Sequence, residues 1–129
     1  MSGLGVFRAT RALRMVVKKT STGIVGLEVD VNARSNLIAL QEKILEKVKI
    51  IPPTVQYRKD VESISNYRLK VAREMDDEEK IEEEINMGQL EELIQQGESE
   101  MRLIDIYAEH RLWETVEELQ QIQERKTEA

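Results

Sequence analysis

Apolar residues recur every three or four positions from residue 37 onward, which is the spacing of one face of an α-helix. The first such stripe is carried by Leu37, Leu40, Ile44, Val48 and Ile51, and Leu45 widens it. Asn32 is a residue type that caps helix starts, and the Pro52-Pro53 pair ends the pattern. A helix is therefore predicted over residues 32–51.

A second stripe follows the two prolines. Proline fits the first turn of a helix, so we expect this helix to begin near Pro53-Thr54 and to continue towards Arg73. The Ser65-Asn66 pair is a place where it could be interrupted or bent. The inward positions are predicted to be Tyr57, Val61, Ile64, Leu69 and Val71.

Two more helices are predicted between residues 76 and 110. Four acidic residues at 76–79 favour a helix start through the helix dipole, and Gly88 ends the short helix that follows. A long helix is then expected from about Gln89 to His110, with Gly97 where another helix could approach closely. Its apolar line is Leu90, Leu93, Ile94, Met101, Ile104 and Ala108.

The last part of the chain is also helical in pattern. Val116, Leu119 and Ile122 share one face, so residues 113–129 are expected to form a separate amphipathic helix or a continuation of the previous one. A chain of 129 residues has room for one compact domain. The fold class predicted is all-α, a small helical bundle with an extended basic N-terminal arm.

The N-terminal arm, residues 1–19, holds five basic residues and no acidic one. Arg8, Arg11 and Arg14 recur every third residue with apolar residues between them, which is typical of a mitochondrial import segment. A disordered basic arm, or a basic strip lying on an acidic partner, is the alternative. We expect an import-signal-like arm that is retained.

Residues 20–31 combine turn chemistry at Thr22-Gly23 with a β-branched run, and we expect an extended docking segment here. Gly23 and Gly26 do not complete a phosphate-binding glycine pattern. The predicted division of the chain is thus an arm at 1–19, a docking segment at 20–31, a bundle at 32–112 and a terminal helix at 113–129.

Composition excludes several classes of function. Residues 20–129 hold 14 basic and 25 acidic residues, a balance of −11 that disfavours nucleic acid as a partner. The chain has no cysteine, which removes thiolate chemistry, disulfides and iron–sulfur ligation. No apolar run approaches the roughly 20 residues of a membrane span, so we expect no direct span and association only through a partner.

Few side chains suggest catalysis. The carboxylates at 76–79 and 82–84 are consecutive on helices and point around the circumference, so they do not converge on a metal ion. The single histidine, His110, follows Tyr107 and lacks the Glu-x-x-His pattern of di-iron bundles, and no hydrolase triad is visible. We expect no catalytic residue, metal, cofactor or small-molecule substrate.

Aromatic and basic residues stand side by side at two places. For Tyr57-Arg58 and for Trp113, the plain interpretation is a ring packed inward with charged neighbours outside, and a partner-docking face is the sharper alternative. The candidate docking residues are Lys19, Thr22, Gly23, Gly26, Tyr57, Arg58 and Trp113.

Several short motifs come in a specific order. They are the run at residues 19–27 (KTSTGIVGL), Ile51-Pro52, Tyr57-Arg58-Lys59, the run at 88–94 (GQLEELI) and Leu112-Trp113-Glu114. Each is weak alone, but together, across residues 18–114, they make the chain resemble the alpha-subcomplex subunit five family of mitochondrial complex I, NADH:ubiquinone oxidoreductase.

The resemblance implies a non-catalytic accessory subunit without cofactor, supporting assembly and stability of the matrix (peripheral) arm of complex I near the quinone-reducing module. Its partners would be other subunits of that arm, on the matrix side of the inner membrane. Two departures affect the C-terminal end, since the family often has tryptophan where His110 stands and proline where Thr115 stands. Thr115 allows the terminal helix to continue.

A free-standing helical adaptor or coiled-coil interaction protein would show the same amphipathic stripes. Periodicity alone does not separate it from a subunit of a large complex. The two hypotheses differ in the size of the assembly that contains the chain.

Overall fold

The computed structural model describes residues 19–128, so the predicted arm, apart from Lys19, lies outside the described residues. Within residues 19–128 there are helices and no strands. The helices are α1 (Ala33–Lys47), α2 (Gln56–Glu74), α3 (Glu78–Ile85), α4 (Leu90–Glu109) and α5 (Leu112–Glu128), with a 3-10 turn at Val48–Ile50 after α1. The prediction of an all-α helical bundle is confirmed.

Helix α1 is the centre of the bundle and packs extensively against both α2 and α4. The start of α1 shares a core with the end of α2 and the start of α4, through Leu37, Val71 and Leu93. The end of α1 shares a second core with Val61 and Ile104. Helix α1 therefore runs antiparallel to α2 and parallel to α4.

The core consists of two apolar clusters along α1. The first contains Ala33, Leu37, Val71, Ala72, Ile81, Ile85, Leu90 and Leu93. The second contains Ile44, Val48, Ile51, Val55, Val61 and Ile104. Between them α1 buries a polar residue, Gln41, which is 1% exposed. We call this level of the bundle the waist.

Two details of α2 differ from the prediction. The helix begins at Gln56 rather than at Pro53-Thr54, because Pro52 and Val55 first close a turn through the Val55 N–H and the Pro52 carbonyl. Ile64 is 53% exposed, whereas the neighbouring Ser65 is 3% exposed. The prediction that Ile64 faces the core is wrong, and the predicted break at Ser65-Asn66 does not occur.

Local hydrogen bonds fix the other helix ends close to where the sequence predicts them. Asp77 caps α3 by accepting from the Glu79 N–H, and Asn86 ends it in the left-handed conformation. Glu92 accepts from the Gln89 N–H at 2.8 Å and so satisfies a donor at the start of α4. Asn32 precedes α1 but makes no side-chain capping bond.

Helix α5 is a separate helix, as one of the two predicted alternatives states. Arg111 adopts a φ of 48° between α4 and α5, and the chain then remains helical through Thr115. Helix α5 packs only at its start, and Val116, Leu119 and Ile122 are 42%, 61% and 47% exposed. Among the helices of residues 19–128, none combines the length and apolar character needed to cross a membrane.

Candidate docking surfaces

The predicted docking residues fall at opposite ends of α4. Lys19 and Thr22 contact Gln89, just before α4, whereas Tyr57 contacts Tyr107 near its other end. A helix of 20 residues is about 30 Å long, so the seven residues form two surfaces rather than one. We call them the Thr22 loop, residues 19–27, and the aromatic end, formed by Tyr57, Tyr107 and Trp113.

Thr22 holds the Thr22 loop together. Its hydroxyl donates to the Leu27 carbonyl at 2.6 Å and accepts from the Ile24 N–H at 3.2 Å, and the residue is 7% exposed. The backbone carbonyl of Thr22 in turn accepts from the Gln89 side-chain amide at 2.6 Å. Thr22 is thus a structural residue of the loop rather than a surface contact.

The glycines of the loop adopt backbone conformations that other residues disfavour. Gly23 has φ of 75° and Gly26 has φ of 79°, and both lie in open space. Residues 22–27 therefore close a turn, so the prediction of an extended segment is wrong there. The turn places Ile24 and Val25 at its tip, 40% and 103% exposed.

Lys19 connects the loop to α4 through a buried acid. Its Nζ lies 2.6 Å from Glu91 Oε1 and donates to Gln89 Oε1 at 2.7 Å. Glu91 is only 3% exposed and also accepts from the Asp30 N–H at 3.3 Å. A buried carboxylate without partners would be costly, so Lys19 and Glu91 depend on each other.

Sequence reasoning missed the role of Glu91. The motif at residues 88–92 places two glutamates together, and nothing in their spacing shows that Glu91 is buried while Glu92 closes the helix start. A helical-wheel projection of α4 would have placed Glu91 near the buried Leu90 and Ile94 edge. That is the only signal the sequence offers.

Aromatic rings pack together at the aromatic end. The Tyr57 and Tyr107 rings stack with centroids 4.1 Å apart, and Trp113 lies 6.0 Å from Tyr107. The Arg111 guanidinium carbon is 5.8 Å from the Trp113 ring centroid, within range of a cation–π contact. Trp113 thereby fastens the start of α5 to the second core cluster.

Burial raises the pKa of the Tyr57 phenol well above its usual value, and the hydrogen bond that its hydroxyl donates to Glu100 raises it further. Arg58 donates to the Ile51 carbonyl at 2.8 Å and pairs with Glu62. The polar groups of Tyr57 and Arg58 are therefore engaged within the chain. Of the three predicted residues at this end, Trp113 is the one with no hydrogen bond to the bundle among those described.

A third surface was not predicted. Helices α2 and α4 both pack on α1 but stand apart at the waist, which leaves an open groove of about 990 Å³ between them. Buried Gln41, Ser65 and Gly97 lie along it. We call it the waist groove. Within residues 19–128, no group of three or more histidine or acidic side chains is arranged to hold a metal ion.

Comparison with known proteins bears on what these surfaces contact. A family model described as the conserved region of an ETC complex I subunit matches residues 26–92. This region begins in the Thr22 loop, spans α1 to α3 and ends in the first turn of α4. It therefore includes the loop glycine Gly26, the waist residues of α1 and α2, and the buried Glu91.

Curated relatives point the same way. The chain is similar to a probable NADH dehydrogenase (ubiquinone) 1 alpha subcomplex subunit 5, mitochondrial, of Arabidopsis thaliana, at 45% identity over 80% of this chain and 60% of that protein. The Bos taurus subunit 5 is 38% identical over 80% of this chain and 88% of its own length. A probable Caenorhabditis elegans subunit 5 is 33% identical over 87% and 75% of the two chains.

Proposed function

The chain belongs to the alpha-subcomplex subunit 5 family of NADH dehydrogenase (ubiquinone), respiratory complex I, and from this we propose that it is a non-catalytic accessory subunit of that complex. Its function is to support assembly and stability of the matrix (peripheral) arm near the quinone-reducing module. The proposal assigns it no catalytic residue, cofactor or metal.

The Thr22 loop is the observation that supports docking most directly. Val25 is fully exposed at the tip, and Ile24 beside it is 40% exposed. Apolar side chains at a loop tip gain free energy when a partner covers them. The loop is also held in place by Thr22 and Lys19, so little conformational entropy is lost on binding.

The proposed location follows from the family. A mitochondrial protein is indicated by the family assignment. The matrix side of the inner membrane, with contact to peripheral-arm subunits, is the finer part of the proposal. The acidic body of residues 20–129 gives that contact a charge preference for basic surfaces on the partner.

The alternative, a free-standing helical adaptor, is favoured by one observation. Helix α5 carries the apolar stripe of Val116, Leu119 and Ile122 on its exposed side. A stripe of this kind suits a second helix of any partner. The native size of the assembly decides between the two functions.

The test is a native gel of mitochondrial membranes, probed for this chain. The proposed function predicts that the chain migrates in the very large band that oxidises NADH. An adaptor would migrate in small complexes, and absence of the chain from the NADH-oxidising band would contradict the proposed subunit role.

A further inference from the structure

The waist groove contains a polar group that lacks a partner. Gln41 is 1% exposed, lies in the groove between α2 and α4, and its Nε2 has no hydrogen-bond acceptor. A buried amide donor without an acceptor costs about 1–3 kcal/mol. An occupant of the groove that carries a carbonyl or hydroxyl oxygen would remove this cost.

The walls of the groove expose apolar side chains. Ile64 on α2 is 53% exposed and Leu103 on α4 is 42% exposed, and Met87 is 57% exposed at the end next to α4's start. Such side chains favour an occupant with apolar residues of its own. The groove therefore suits an amphipathic peptide better than a small polar ligand.

The charges along the groove favour a basic occupant. Its lining includes the acidic residues Asp60, Glu92, Glu98 and Glu100 and the basic residues Arg68 and Arg102. Arg68 is already hydrogen-bonded to Gln96 at 3.2 Å. Acidic groups thus outnumber basic ones by two to one among the lining residues, in agreement with the acidic body around them.

We propose that residues 1–18 of this same chain bind in the waist groove. These residues include four basic and no acidic side chains, so the arm complements the groove in charge. Leu4, Phe7 and Leu13 supply apolar groups for Ile64 and Leu103. Every main-chain carbonyl of the arm is a possible acceptor for Gln41 Nε2.

The position of Lys19 makes this binding geometrically direct. Lys19 is anchored on Gln89 and Glu91, and the near end of the groove is lined by Met87 and Glu92, in the same stretch of chain. From Glu92 to Leu103 the groove extends about 17 Å along α4. Eighteen residues span about 27 Å as a helix and more when extended, so the arm is long enough.

This inference goes beyond the proposed function and does not depend on it. It requires only that residues 1–18 remain part of the chain. The arm would cover the waist of the bundle, and a partner that uses the groove would first displace it. The basic segment would then stabilise the folded protein as well as being import-like in composition.

The test uses the absence of cysteine in the chain, which makes any introduced cysteine unique. A nitroxide spin label is attached to full-length Phe7→Cys and, separately, to Ser2→Cys in case Phe7 itself is needed. Backbone amide NMR signals of Gln96, Ser99 and Leu103 report on the groove. Signals of Val25 and Glu124, at the loop tip and on α5, serve as references.

We expect loss of intensity at the groove signals and none at the references with both labels. The triple variant Arg8→Glu, Arg11→Glu, Arg14→Glu should restore the signals. Leu103→Glu in the groove should also restore the remaining groove signals, whereas the matched Leu119→Glu on exposed α5 should leave the loss in place.

Three results would overturn the proposal. The label could act on α5 or on α3 instead of the groove. It could act on the groove only in mixtures where label and NMR-active isotope are on different molecules, which means a second copy is the occupant. It could also act nowhere with either label, which would mean that the arm does not dock.

Discussion

Tyr57 joins the start of α2 to α4 by two contacts, the stack on Tyr107 and the hydrogen bond from its hydroxyl to Glu100. Both contacts require the neutral phenol, which is why its pKa is raised. A pKa that is higher in the folded than in the unfolded chain adds stability below the unfolded value of about 10. That stability is lost as the pH rises through the folded value.

The prediction is that the unfolding free energy of the protein falls as the pH rises above about 10, and that Tyr57→Phe reduces the slope of this fall. The variant should be less stable at neutral pH by about 0.5–1.5 kcal/mol, because it loses one hydrogen bond. Urea titrations at several pH values measure both. An unchanged alkaline slope in Tyr57→Phe would contradict the assignment.

Gly97 lies where α4 approaches α1. A Cβ at this position would be 2.5 Å from Leu40 Cδ2 and 3.4 Å from Ile44 Cδ1. Leu40 can move its terminal methyl group, and alanine favours a helix over glycine by about 1 kcal/mol, so Gly97→Ala should change stability little. Gly97→Val should destabilise by about 1–3 kcal/mol through overpacking.

Denaturant titration of both variants checks this, with Ser99→Val as the control for the helix propensity of valine at an exposed position of α4. Equal effects of Gly97→Val and Ser99→Val would mean that close packing at Gly97 contributes nothing.

Some of these residue roles could be predicted from the sequence and others could not. Gly97 stands out because a glycine inside a helix needs a packing reason, and the structure supplies one. Ile64 was assigned to the core by its spacing, but α4 stands away from α2 at the waist and leaves it exposed. The positions of neighbouring helices, which periodicity does not contain, decide such cases.

At the scale of elements, Arg34 connects α1 to the end of α2. Its Nε donates to the carbonyls of Ala72 and Met75, each at 2.9 Å, and Nη2 donates to Arg73 at 3.3 Å. These carbonyls lack partners within the helix, so a cation satisfies them and favours the helix dipole.

We predict that Arg34→Ala destabilises the protein by about 1.5–3 kcal/mol, the usual contribution of hydrogen bonds to a charged group. Arg34→Lys should recover only part of this, because one ammonium group does not match the spread of the carbonyls. Lys49→Ala, which removes an exposed ion pair with Glu46, is the control and should cost under about 1 kcal/mol. Thermal or urea unfolding measures all three.

Helix α5 makes few contacts with the bundle beyond Trp113. We predict that Leu119→Glu leaves the stability of the isolated protein within about 0.5 kcal/mol, since Leu119 is 61% exposed. The same variant should lower the amount of the chain recovered in assembled complex I if a partner covers this stripe. Unchanged recovery on native gels would remove α5 from the docking surfaces.

The elements themselves followed from the sequence more closely than their arrangement did. Periodicity and breakers predicted all the helices of residues 19–128, with bounds shifted by a few residues where Pro52 and Val55 close a turn before α2. The separation of α2 from α4, and hence the waist groove, depends on α1 lying between them. Contacts between distant segments of this kind are not encoded in local spacing.

At the scale of the whole molecule, the chain is a rigid helical body with a structured loop that presents apolar residues to a partner. Among the docking candidates, Thr22 and Arg58 support the fold, and the tip residues Ile24 and Val25, which the sequence did not single out, are the exposed ones. Their role is a proposal about complex I, and it belongs to assembly rather than to electron transfer.

The most direct test measures NADH:quinone turnover and the amount of assembled complex I in cells carrying Gly23→Val with Gly26→Val. Valine strains a backbone at φ of 75° and 79°, so the loop should lose its shape. Asparagine tolerates these angles, which makes Gly23→Asn with Gly26→Asn the matched control. His110→Ala tests the single histidine for a part in the chemistry.

The account predicts less assembled complex with the valine pair, near-normal amounts with the asparagine pair, and the same turnover per assembled particle in all variants. A fall of about tenfold per particle at normal abundance, in the His110→Ala or the valine variant, corresponds to about 1.4 kcal/mol of lost transition-state stabilisation. That result would contradict a purely structural role and place this chain in the chemistry of the complex.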